Sequence, residues 1–149
     1  MKDPLVNLAG YLLRRASTAA LAELNQRLAP LGLRHAEVAM LMLIDVSPGI
    51  TQSQAGRVLD IQRANMVPFV ARLESGGVIR RRQVDGRSQA LELTGRGRML
   101  LGRARRVVEA HEAALLGRVP EKLRPMVVPV LTALWQGETA AGAAQAGGR

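Results

Sequence analysis

The stretch from Thr51 to Thr94 constrains this chain more than any other. Thr51 and Gln54 have the T-x-x-Q spacing of a capping box, in which each side chain satisfies an orphan backbone donor of a helix's first turn. Ala55, Val58 and Leu59 then supply one apolar face for a helix of about two turns. Asp60-Ile61-Gln62 reads as a break, with Ile61 plugging the corner. Met66, Phe69, Val70 and Leu73 follow at i, i+3, i+4 and i+7, the stripe of a second helix. Gly76-Gly77 closes it, because glycine tolerates the left-handed backbone found just past helix ends. A hairpin signal comes next. Ile79 to Val84 and Arg87 to Leu93 flank Asp85-Gly86, a favoured two-residue loop where positive φ is needed. Ile79, Leu91 and Leu93 would anchor the hairpin on the helices, with Ala90 and Glu92 on the other face.

Two helices joined by a tight turn, then a basic hairpin, make a winged helix-turn-helix, which presents one helix to a DNA groove. Arginine and asparagine read guanine and adenine edges in a major groove, so Arg63 and Asn65, early in the second helix, are the candidates for base contact. Gln52 and Ser53, at the N-terminus of the first helix, are candidates for phosphate. Arg80, Arg81, Arg82 and Arg87 would meet phosphate or a minor groove. Asp85 and Gly86 would form the turn, with Asp85 orienting Arg87. Pro68 lies inside the second helical pattern, where it removes a backbone bond. A start at Arg63 leaves it internal; a start at Asn65 would put it in the first turn.

At these residues the chain resembles the MarR family of winged helix-turn-helix transcription regulators. The likeness rests on VARLESGGVIRRR at residues 70–82, Asp85-x-Arg87, and LT-x-x-G at Leu93, Thr94 and Gly97. Leu33 to Ile44 looks like the family's helix leading into the DNA-binding lobe, and with flanking helices the resemblance spans roughly residues 4–136. It implies a mainly α fold with a small β-hairpin wing, and a dimer that binds a pseudo-palindromic DNA site as a repressor. It also implies release by a small aromatic or phenolic anion. Leu12 and Met42 are the candidate apolar wall for such a ligand, and Arg15 and His35 the candidate polar contacts.

Charge agrees with the motif. Of the net +9, residues 51–98 hold nine basic and four acidic side chains, the largest excess in the chain. A basic patch on a defined element is the footprint of nucleic-acid binding. The absence of cysteine excludes disulfides and thiolate metal sites. No run approaches the ~20 apolar residues of a membrane span. With no signal-peptide core, a cytoplasmic location is expected.

The only histidines, His35 and His111, are far apart, and no nucleophile elbow, zinc-protease motif or phosphate loop is present. An enzyme is therefore not expected, nor any cofactor. Two alternatives remain. One is a metal-responsive regulator of the same fold, built on His111 with Glu109 and Glu112, or on His35 with Glu37. The other is a winged-helix architectural or adaptor protein, which would not need the wing arginines.

The remainder reads as helix. Residues 4–28 carry an apolar stripe through Leu5, Leu8 and Leu12; residues 34–45 form a second helix. Thr94 caps a long helix to about Arg118, and Pro120 starts a last one that Pro129 bends. Residues 4–32 and 98–136 are thus assigned to a dimerisation region, 33–97 to the DNA-binding lobe, and 138–149 to an unstructured tail of alanine, glycine, glutamine and threonine. Met40, Met42, Met66, Met99 and Met126 read as core fill.

Overall fold

The computed structural model describes residues 3–85 and 88–146. It divides into two units, residues 1–109 and 110–149. The first unit opens with α1 (Ala9–Leu28). This helix starts later than the expected Pro4, because Asp3 Oδ1 accepts the Leu5 N–H at 3.0 Å and residues 4–7 form a turn. A 3₁₀ turn over Ala29–Leu31 and Gly32 at φ 68° separate α1 from α2 (His35–Val46). The apolar run of α2 buries Val38, Met40, Leu41 and Ile44. The Glu37 carboxylate reaches back to accept the Arg34 N–H at 2.7 Å, which satisfies a donor of the first turn.

Next come α3 (Gln52–Val58) and α4 (Arg63–Ser75). The expected capping box is present: Gln54 N–H donates to Thr51 Oγ1 at 3.3 Å, and Thr51 N–H to Gln54 Oε1 at 2.9 Å. Val58, read above as part of the apolar face, is 64% exposed; so short a helix buries only the side around Ala55 and Gly56. Both helices end in the same way. Past α3, Ile61 N–H reaches the Gly56 carbonyl at 2.9 Å around Asp60 at φ 51°. Past α4, Val78 N–H reaches the Leu73 carbonyl at 3.2 Å around Gly77 at φ 69°. Each is a six-to-one closure around a left-handed residue. Asp60 fills that position without being glycine, as short polar side chains can.

The wing pairs β1 (Ile79–Asp85) with β2 (Ser88–Leu93), antiparallel. Ile79 faces Leu93 and Arg81 faces Leu91, so these four share the face toward the helices. Ala90, placed above on the outer face, is fully buried, because Thr51 bridges to it and Leu91 N–H donates to the Ile50 carbonyl at 2.8 Å. The register slips between Gln83 and Asp85, so Asp85 pairs with Ser88 and ends the ladder instead of starting the loop. Gly86 and Arg87, to which the turn and the wing-tip contact were assigned, lie outside the described residues.

The core of this unit gathers Leu28, Leu33 and the buried face of α2 with Met66, Val70 and Leu73 of α4. Val78, Ile79, Leu91 and Leu93 of the wing join it, as do Leu101 and Ala104 of α5 (Gly95–Gly117). Met40 and Met66 are core fill as expected, but Met99 is 71% exposed. In α1 only Leu28 is buried. Leu5, Leu8 and Leu12, the expected stripe, remain exposed in the single chain.

In the second unit, a 3₁₀ turn over Glu121–Leu123 precedes α6 (Arg124–Ala146), which carries Pro129 within it. Pro125 falls in its first turn, where a missing N–H costs nothing. The helical backbone continues to Ala146, through most of the stretch read as an unstructured tail; alanine is the strongest helix former. Met126, Val128, Leu131, Leu134 and Trp135 are exposed on α6. Met126 is therefore not core fill.

Gly97 tests the packing directly. A Cβ there would lie 1.9 Å from the Val78 carbonyl oxygen, whereas one at Gly102 would meet nothing within 4 Å. Gly97→Ala should destabilise the fold by ~2 kcal/mol or more through overpacking. Gly102→Ala should stabilise it by ~0.5–1 kcal/mol through lower unfolded-state entropy. Urea denaturation of the two variants checks both signs.

Candidate nucleic-acid interface

The helix-turn-helix is held at a fixed angle by close packing at its corner. Gly56 of α3 leaves room for Met66 of α4, whose Cγ would be 3.0 Å from an added Cβ. Arg63 and Asn65 lie in the first turn of α4 and are exposed. Among the described residues, neither side chain has a hydrogen-bond partner, so both are free to meet a ligand. Gln52 and Ser53 begin α3, and together with Arg57, Gln62, Arg63 and Val67 they line a cleft of about 580 Å³.

Arg57 and Gln62 were not singled out from the sequence. Arg57 stands four residues after Ser53, on the same helix face, which was the available signal. Gln62 immediately precedes α4 and stands outside the apolar pattern, so periodicity could not reveal it. The helix begins at Arg63 and not at Asn65, so Pro68 is internal. Its missing N–H frees the Ala64 carbonyl on an exposed face, where water can serve it. Val67 and Pro68 are both exposed there, which gives the outer face of α4 an apolar component.

The three consecutive arginines divide by strand period. Arg80 and Arg82 share the outer face, and both bind the Glu92 carboxylate on β2. Arg80 donates from Nε at 3.2 Å and from Nη2 at 3.0 Å; Arg82 donates from Nε to the second oxygen. The Arg82 hydrogen bond is the main cause holding the Glu92 carboxyl below the usual glutamate range. Arg81 points the other way. It donates to Glu74 Oε2 at 3.1 Å and to Gln52 Oε1 at 3.1 Å, tying the wing to the ends of α4 and α3.

A further tie joins α2 to the C-terminal end of α4. Glu37, almost wholly buried, accepts Arg72 Nη2 at 2.8 Å, while the Arg72 guanidinium lies 5.7 Å from the Phe69 ring centroid. Arg72 thus ties α4 to α2.

The residues assigned to a ligand are not gathered in one place. His35 donates its N–H to Asn25 Oδ1 at 2.8 Å and holds the same oxygen from Nδ1 at 3.1 Å. Asn25 stands ten residues along α1 from Arg15, about 15 Å of helix rise. Arg15 is exposed and donates to the Tyr11 hydroxyl at 3.1 Å. Leu12 is exposed, and Met42 packs against the core. His111 is buried, and its Nδ1 has no hydrogen-bond partner among the described residues. Among those residues no three His, Asp or Glu side chains stand close enough to hold a metal ion. No described helix is long and apolar enough to cross a membrane.

Comparison with known proteins agrees with this geometry. The MarR family model matches residues 33–88, from the start of α2 to the wing. The HTH-type transcriptional repressor Rv2887 of Mycobacterium tuberculosis is 35% identical over 112 residues, covering 74% of this chain and 81% of the repressor. This chain belongs to the MarR family. Among solved MarR-like structures, the transcriptional repressor CouR bound to a 23-mer DNA duplex superposes with a TM-score of 0.83 at 30% identity, over 90% of this chain and 99% of CouR. CouR has also been solved with p-coumaroyl-CoA. Rv2887 in complex with salicylic acid superposes at 0.70 with 32% identity, over 85% and 95% of the two chains. The expected mainly α winged-helix fold and the family resemblance are both borne out.

Glu37 supplies a test of the corner. Glu37→Ala would strip the Arg34 N–H and the Arg72 guanidinium of their acceptor at once. It should destabilise the fold by ~1–3 kcal/mol, measured by chemical denaturation, and Glu37→Gln should recover part of that loss.

Proposed function

We propose that this MarR-family protein is a dimeric repressor that binds a pseudo-palindromic operator through two copies of the α3–α4 unit. The observation that carries this reading is the pair of exposed, unpartnered side chains Arg63 and Asn65 at the start of α4, beside a wing bearing Arg80 and Arg82. Two recognition helices of a dimer reach successive major grooves when they lie about 34 Å, or ~10 base pairs, apart. Arg63 and Asn65 take the base edges, and Gln52 and Ser53 take phosphate. Arg80, Arg82 and Arg87 supply backbone or minor-groove contacts, and Asp85 orients Arg87. Arg81 contributes by holding the wing in place. The exposed leucines of α1, and separately those of α6, are the surfaces a second copy would cover. Such a role is regulatory, not catalytic, and places the protein with the chromosome in the cytoplasm.

Selection of bound genomic fragments would identify the operator. On that duplex, Arg63→Ala should cost ~1–3 kcal/mol and relax base preference at one position of each half-site. Arg87→Ala should weaken all sequences alike and flatten the salt slope by about one unit. Equal loss on operator and random DNA for Arg63→Ala would remove it from base reading.

The effector in this proposal is a small aromatic or phenolic acid, or its thioester. The support comes from relatives: Rv2887 is solved with salicylic acid and CouR with p-coumaroyl-CoA. Release follows if the ligand prefers a lobe spacing that no longer fits adjacent grooves; a ligand binding both spacings equally shifts nothing. Leu12, Arg15, His35 and Met42 remain the proposed contacts. The separation of Arg15 from His35 favours an extended ligand over one that touches both through a single ring. In a screen of benzoates, phenols and aryl thioesters against the protein–operator complex, Arg15→Ala and His35→Ala should each raise the concentration needed for release without changing operator affinity. Unchanged release in both variants would move the pocket elsewhere.

A further inference from the structure

We propose that Glu92 sets the strength with which the wing holds DNA, by competing with phosphate for Arg80 and Arg82. The inference rests on the reading of the wing as a DNA contact. Arg80 stands directly opposite Glu92 across the ladder, and Arg82 lies on its diagonal. One carboxylate therefore serves two guanidinium groups, one on each oxygen. The two arginines keep most of their surface exposed, with side-chain accessibilities of 67% and 52%, while Glu92 sits lower at 26%. The carboxylate is thus seated beneath the two cations, and phosphate can approach them from above.

Glu74, which binds the wing's Arg81, lies on the opposite face. Among the described residues, Glu92 alone is bonded to Arg80 and Arg82. The outer face of the wing consequently presents a net charge of +1 from these three side chains, not the +2 of its arginines. To neutralise a phosphate fully, an arginine must surrender or share its bond to Glu92. Sequence-independent attraction is reduced in this way, and base contacts made by α4 decide a larger share of the residence time. A neutral residue at position 92 would leave the arginines equally placed but unopposed. Glutamine suits this purpose because it keeps the shape and one acceptor oxygen.

Fluorescence anisotropy with the full-length protein, on a labelled random-sequence duplex and on the selected operator, tests the proposal across a salt series. Glu92→Gln should tighten binding to both duplexes by several-fold at 0.1 M salt and steepen the salt slope by up to about 0.9, the increment for one additional phosphate neutralised. Glu112→Gln, an equal charge change at an exposed position on α5, should do neither. In an Arg80→Ala/Arg82→Ala background, Glu92→Gln should lose its effect, since the cycle isolates coupling between the groups. Misfolding cannot imitate the result, because the predicted change is a gain of affinity.

If Glu92→Gln leaves affinity and slope unchanged while Arg80→Ala/Arg82→Ala weakens binding, the wing contact stands and the competition is refuted. The competition is equally refuted if the gain persists without the arginines, or if Glu112→Gln matches it. Should Arg80→Ala/Arg82→Ala leave binding unaltered, the wing reading itself fails and takes the proposal with it.

Discussion

The geometry of this protein depends on the meeting of Val78, Thr94 and Gly97. The Val78 carbonyl accepts the Thr94 N–H at 3.1 Å and the Thr94 hydroxyl at 3.2 Å, and the same hydroxyl donates to the Gly77 carbonyl at 2.7 Å. The Thr94 oxygen in turn accepts the Gly97 N–H at 3.0 Å, which caps α5. Four structural events therefore converge on a few atoms: the closure of α4, the start of β1, the end of β2 and the start of α5. A side chain at residue 97 would occupy the space of the Val78 carbonyl. The glycine is needed for close approach and not for its backbone freedom, since its φ is not positive. Because the hairpin is pinned at this base, the direction of its tip relative to α4 is set by a hydrogen-bonded knot and not by the tip itself.

Around that knot, charge is used in two distinct ways. Arg72 and Arg81 are tied inward, to Glu37 and to Glu74 with Gln52, and they join α4 to α2 and the wing to α3 and α4. Arg80 and Arg82 are tied outward to Glu92, on a face that remains open to solvent. Exposed ion pairs contribute little to stability, so the second arrangement matters for what approaches the wing more than for the fold. Arg63 and Asn65 have neither kind of tie.

Much of the lobe was legible in the sequence because its signals are local. The capping box at Thr51 and Gln54, the stripe Met66-Phe69-Val70-Leu73, the stop at Gly76-Gly77 and the cap at Thr94 each depend on residues within a turn or two of one another. The misplaced features needed information from elsewhere in the chain. Alternation placed Ala90 on the outer face correctly, but could not show that Ile50 and Thr51 would lie along β2 and cover it. The ladder skips Val84 and pairs Asp85 with Ser88, a cross-strand register that the Asp85-Gly86 pair alone does not indicate.

By itself, then, the sequence determined the winged helix-turn-helix, its family and the concentration of positive charge on residues 51–98. Helix periods, caps and turn residues act over a few bonds, and that is the range over which a sequence can be read unaided. Only the tertiary structure decided which arginines are free. Arg72, Arg81 and Arg63 are chemically identical in the sequence, yet one is held by α2, one by α3 and α4, and one by nothing. That difference arises from partners on other elements, Glu37 for Arg72 and Glu74 with Gln52 for Arg81, brought within bonding distance when the apolar core closes.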